Sequence, residues 1–145
     1  MAELEVSRVL ASLHSLRGYS REDLVKGDVS TLLFRYSKTR RACRIFLEYL
    51  KKNRWQVTPK ALSQFTRDLH EGRVEAGFSY RRESFYRNIL RRLLVFGFIE
   101  KQTHYPRKII YAPVIQPIPK RTPLLKTWWG LAYLVAEKWN REFEK

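Results

Sequence analysis

Residues 84–102 read SFYRNILRRLLVFGFIEKQ, and a change of period inside this stretch decides the fold. Phe85, Ile89, Leu90, Leu93 and Phe96 recur at spacings of one, three and four, which predicts an amphipathic helix over 80–96. Its other side carries Tyr80, Arg81, Ser84, Arg87, Asn88 and Arg91, with Ser79 as the expected cap. Arg82 stands where a capping box would place an acid, so no box is expected. Gly97 is suited to the left-handed conformation that ends a helix. Beyond it, Phe98 to Gln102 and Lys108 to Val114 are rich in β-branched and aromatic residues and predict two strands, joined by Thr103–Arg107.

Upstream, Thr58-Pro59 opens a second helix. A threonine oxygen accepts from free amides there, and proline at the first helical position forfeits nothing. The helix runs through Ala61, Leu62, Phe65 and Leu69 toward Gly72, and a linker follows from Arg73 to Phe78. Residues 39–53 predict another helix. Ala42, Ile45, Phe46, Tyr49 and Leu50 line its buried stripe, while Arg40, Arg41, Arg44, Lys51 and Lys52 line the opposite face. Trp55-Gln56-Val57 between them is expected to form a short strand.

The flanks are helical as well. Residues 3–17 carry Val6, Val9, Leu10, Leu13 and Leu16 on one face. Asp28 or Ser30 is expected to cap a short helix through Leu32, Leu33 and Tyr36. Residues 115–123, IQPIPKRTP, hold three prolines and read as an extended connector. Over 124–144 the residues Leu125, Trp128, Ala132, Val135 and Trp139 form a last apolar stripe. The expected divisions are an N-terminal helical extension (1–38), a central domain (39–114), the connector (115–123) and a C-terminal helix (124–145).

The central order is helix, short strand, helix, helix, strand, turn, strand. VTPKALSQF (57–65), SFYRNILRRLLVFGFIEKQ (84–102) and KIIYAPV (108–114) together resemble the winged helix-turn-helix superfamily. In that resemblance they are its second helix, its recognition helix running into the first wing strand, and its returning strand. The resemblance covers about 39–114 and departs from the superfamily at the link around 70–79, which is longer than the usual tight turn. The fold class it implies is mainly α with a small antiparallel β-wing, a winged helix core with flanking terminal helices.

Charge points to the partner. Lysine and arginine number 29 against 14 acids, a net charge of +15. Residues 31–122 alone hold 21 basic and six acidic residues, so the excess is central rather than a terminal tail. Such a field attracts polyanions. A major groove admits an α-helix, and arginine and asparagine suit guanine and adenine edges. The expected contacts are Tyr80, Arg81, Ser84, Arg87, Asn88 and Arg91 on the helix, with Lys101, Arg107 and Lys108 on the wing. Arg40, Arg41, Arg44 and Lys60 are expected on flanking phosphates. The expected function is a double-stranded DNA-binding protein, either a transcriptional regulator or a chromatin-associated architectural protein. A single-strand or RNA binder of the same fold, with Tyr80, Tyr86 and Tyr105 as stacking platforms, is one alternative. A protein-interaction winged helix is the other.

The apolar stripe at Leu125, Trp128, Ala132, Val135 and Trp139 suggests a homodimer through the terminal helices, or packing within the chain. No membrane partner is expected, since no stretch is long enough to span one, and the expected location is the cytoplasm, on the nucleoid. Cys43 is the single cysteine and reads as a buried small hydrophobe in a reducing compartment. His14, His70 and His104 are scattered without ligand spacing. No nucleophile or phosphate-loop motif is present, so neither an enzyme, a metal nor a cofactor is expected.

Overall fold

A computed structural model describes residues 26–34, 36–104, 108–116 and 128–144, with the backbone alone at His104 and over 128–133. The expected first helix, Leu125, Arg107 and the connector from 117 on lie outside the described residues. The chain divides into two units. One takes its two ends, up to Arg44 and from Ile115; the other is Ile45–Val114. The described residues are mainly helical, with a small two-stranded antiparallel sheet.

In the unit of the chain ends, α1 spans Val29–Leu33. Asp28 caps it, its carboxylate accepting from the Thr31 amide at 3.0 Å. Val29, Leu32 and Leu33 are buried. Tyr36, expected to continue this helix, falls beyond its end and is 70% exposed. The backbone turns extended at Phe34, which stops the helical stripe before Tyr36 is reached. The helix α5 spans Trp128–Glu142 and packs on α1. Val135, Ala136, Trp139 and Phe143 are its buried residues, and the Trp139 and Phe143 rings lie 4.9 Å apart. This corrects the dimer expectation at two positions. Val135 and Trp139 are already covered within a single chain, at 2% and 0% exposure, so they offer no free apolar stripe. The Asn140 amide takes both backbone groups of Gln116, accepting at 2.7 Å and donating at 3.0 Å, and so holds an extended segment to α5.

The helix α2, Ser37–Lys52, begins in one unit and ends in the other. Its termination is abrupt. The Trp55 amide donates to the Leu50 carbonyl at 2.7 Å, and Arg54 and Trp55 both take left-handed φ values, 55° and 64°. A residue in that conformation, as Trp55 is, cannot lie in an extended strand. The expected strand at 55–57 therefore shrinks to one bridge, in which Val57 and Tyr111 exchange amide bonds at 3.0 and 2.7 Å.

In the Ile45–Val114 unit, α3 spans Pro59–His70. Its cap is Thr58, whose hydroxyl accepts from the Ala61 amide at 3.2 Å, and its first residue is proline. The link Glu71–Arg81 is long but tied down. Phe78 and Tyr80 are buried in it, and the Ser79 hydroxyl donates to the His70 carbonyl at 2.5 Å. Ser79 is thus spent on α3 and does not cap the next helix. That helix, α4, opens at Arg82–Ser84, widens into a π-helix over Phe85–Leu90 and closes as α-helix over Arg91–Val95. Gly97 ends it at φ 78°, with the Phe98 amide on the Leu93 carbonyl at 2.9 Å.

Strands β1 (Ile99–His104) and β2 (Lys108–Pro113) pair antiparallel from Ile99 opposite Pro113 to His104 opposite Lys108. An aromatic cluster forms the middle of the core. Phe46 meets Phe85 edge-on at 5.0 Å, Phe65 lies 5.8 Å from each, and Tyr49 stacks on Phe65 at 4.3 Å. Fully burying a side chain of this size contributes about 1.5–3 kcal/mol. These contacts hold α2, α3 and α4 together and fix the face that α4 turns outward.

Candidate nucleic-acid interface

The outward face of α4 follows from what its inner face must bury. Phe85, Ile89, Leu90 and Leu93 are at most 4% exposed. Arg87, Asn88 and Arg91 are exposed, as is Arg81 in extended backbone just before the helix, and Ser84 is half-buried. Tyr80 departs from expectation. The extended link carries it into the core before α4 begins, and it is only 5% exposed, which removes it as a contact or stacking residue.

Sequence reasoning missed Arg82 as a site residue. Its Nε donates to the Thr66 hydroxyl at 3.2 Å, and an Nη to the Ser63 hydroxyl at 3.1 Å. Thr66 is fully buried and donates to the Ser63 carbonyl at 2.9 Å, so the guanidinium rests on a fixed platform of α3. The signal was present in the sequence as a basic residue in the capping-box position. Arg82, Glu83, Tyr86, Arg87 and Arg91 line an open concavity of about 710 Å³. Tyr86 is half-buried, its ring edge-on to Phe85 at 5.8 Å.

The π segment is the reason these residues share one face. In a regular α-helix, at about 100° per residue, Arg91 would point roughly 180° away from Arg82. A turn with bonds from i to i+5 is wider and advances less per residue, which brings Arg91 back toward the side of Arg82. The five lining residues thus border one concavity. Asn88 does not line it.

Other expected contacts divide. Lys60, Lys101 and Lys108 are exposed. The strand register puts Lys101 opposite Tyr111 and Lys108 opposite His104. Faces alternate along a strand, so the two lysines project from opposite faces of the sheet. Arg40, Arg41 and Arg44 belong to the unit of the chain ends. The Arg40 Nε donates to the Phe34 carbonyl at 2.5 Å. Arg44 corrects its expected role. It donates to the Asp28 carboxylate at 2.9 Å and grips both oxygens of Glu142, one at 3.0 Å, so its charge is already met within the chain. Burial works against the Arg44 charge, and the hydrogen bonds it donates to Glu142 and Asp28 outweigh that, so its pKa rises. Burial raises the Asp28 pKa, but hydrogen bonds from Ser30, Arg44 and Thr31 outweigh that and bring it down to about 2.

Among the described residues, no group of three or more histidine, cysteine or acidic side chains is placed to hold a metal. No helix there is long and apolar enough to cross a membrane. Cys43 is fully buried, and that burial pushes its thiol pKa well up, away from the reactive thiolate form. Comparisons with protein-family models, curated proteins and solved structures return no match for this chain.

Proposed function

We propose that this chain is a double-stranded DNA-binding protein of the winged-helix type, acting as a transcriptional regulator or a chromatin-associated architectural protein. One observation carries the reading. Helix α4 buries Phe85, Ile89, Leu90 and Leu93 while Arg81, Arg87, Asn88 and Arg91 stand exposed beside it. The unit that holds it carries 14 basic and six acidic residues. The order of elements, helix, bridge, helix, helix and antiparallel pair, supports a winged helix, with α4 as the recognition helix and β1–β2 as the wing. The link Glu71–Arg81 is long for a helix-turn-helix, but the burial of Phe78 and Tyr80 gives it a fixed path.

Fluorescence anisotropy with duplex DNA, single-stranded DNA and duplex RNA across a salt series tests this function. Duplex DNA should bind most tightly. A protein neutralising about six phosphates gives a log–log salt slope near −5. Equal or tighter binding of single strands would overturn the proposal.

A further inference from the structure

We infer that the Arg82–Arg87–Arg91 concavity is a clamp for a backbone phosphate of the nucleic acid, rather than a reader of base edges. This rests on the nucleic-acid-binding reading above and specifies its chemistry. Base reading needs side chains that stand clear of the helix and reach a base edge separately. A phosphate is instead best held by several guanidinium groups converging on one anion. Arg82, Arg87 and Arg91 line one concavity here. The π segment brings them toward one side of α4, where unbroken α-helical geometry would scatter two of them to opposite sides.

The hydroxyl platform supports the same conclusion. Ser63 and Thr66 take two N–H groups of Arg82 and fix its guanidinium, which lowers the ordering cost of binding. Its remaining N–H groups are left for an anion. Tyr86 lines the same concavity and offers a flat surface suited to a sugar. Glu83 also lines it and opposes an anion, but three cations outnumber its one charge. The concavity is open to solvent, a shape for a length of polymer backbone rather than an enclosed small molecule.

Phosphate contacts and base contacts leave different signatures. The test measures wild type, Arg87→Ala, Arg91→Ala and Arg87→Lys against six duplexes of unrelated sequence, over a salt series. Each alanine variant should lose roughly tenfold in affinity at 0.1 M salt, by the same factor on every duplex. Each should also flatten the log–log salt slope by about 1, and Arg87→Lys should restore the slope. Losses confined to some sequences, or an unchanged slope, would overturn the clamp while leaving DNA binding intact. If wild type binds no duplex, the proposed function fails instead. Pyrophosphate titrated into the ¹⁵N-labelled full chain then decides the clamp by itself. Shifts at the Nε–H signals of Arg82, Arg87 and Arg91 uphold a phosphate site, and unmoved signals overturn it.

Discussion

The unit built from the two chain ends surrounds its half-buried arginine, Arg44, with the carboxylates of Asp28 and Glu142. The Ile45–Val114 unit lines a concavity with three arginines and a single carboxylate, Glu83. Both sets lie on the polar sides of amphipathic helices, and by residue type they are indistinguishable. The difference lies in what packs nearby. Where a second helix brings its own acids, arginine becomes a structural tie. Where none does, the field of the cations stays uncancelled and is open to an outside anion.

The largest effect that could break this contrast is on the structural side. Trp139→Ala removes a fully buried ring from the end unit and should cost about 3–5 kcal/mol, read by urea denaturation. A loss under about 1 kcal/mol would mean that the ring is not core. Arg44→Met comes next. It strands two carboxylates that are only partly exposed, and should cost about 2 kcal/mol once solvent screening is allowed for. If Arg44→Met instead matched wild type in stability but weakened DNA binding, Arg44 would belong with the arginines of α4.

Acid sharpens the same comparison. The folded Asp28 pKa, about 2, lies below the ordinary carboxylate value near 3.8. A depressed carboxylate stabilises the fold above the unfolded pKa, and that contribution is lost as pH falls through the folded one. Stability should therefore drop between about pH 4 and pH 2, by roughly 1–2 kcal/mol after discounting for exposure. In Asp28→Asn this part of the drop should disappear, and an identical acid profile would remove Asp28 as its source. The smallest effect belongs to the functional side. Arg87→Ala with Arg91→Ala should change stability by less than about 0.5 kcal/mol, since neither side chain ties the fold together. A larger loss would make them structural after all.

Local chemistry made much of the fold legible. Thr58-Pro59 marked the start of α3, Gly97 the end of α4, and the switch from period four to period two marked the strands. Reading failed where tertiary packing decided the outcome. Tyr80 follows a polar link and precedes two arginines, yet the link crosses the core and takes the ring with it. Arg44 looks like Arg41 three residues earlier, and its tie to Glu142, 98 residues later, has no mark in the local sequence. The π-turn in α4 has no sequence mark, because the pattern Phe85, Ile89, Leu90, Leu93 fits an α-helix equally well. The face of Arg82 is set by that turn and by the Ser63–Thr66 platform, neither of which its neighbours in sequence reveal.

The division of the chain also bears on how it refolds. Ile45–Val114 is one unbroken length, so its core needs no residue of α5. The other unit joins Val29–Leu33 to the helix of Trp139, roughly a hundred residues further along. Contacts between distant segments form slowly, so on refolding the middle should become protease-resistant first, with α1 waiting for its partner. A chain truncated after Gln116 should keep protection over Ile45–Val114 and lose it over Val29–Leu33, which limited proteolysis with mass spectrometry can read. Uniform digestion of both segments would show that the two units fold as one cooperative body.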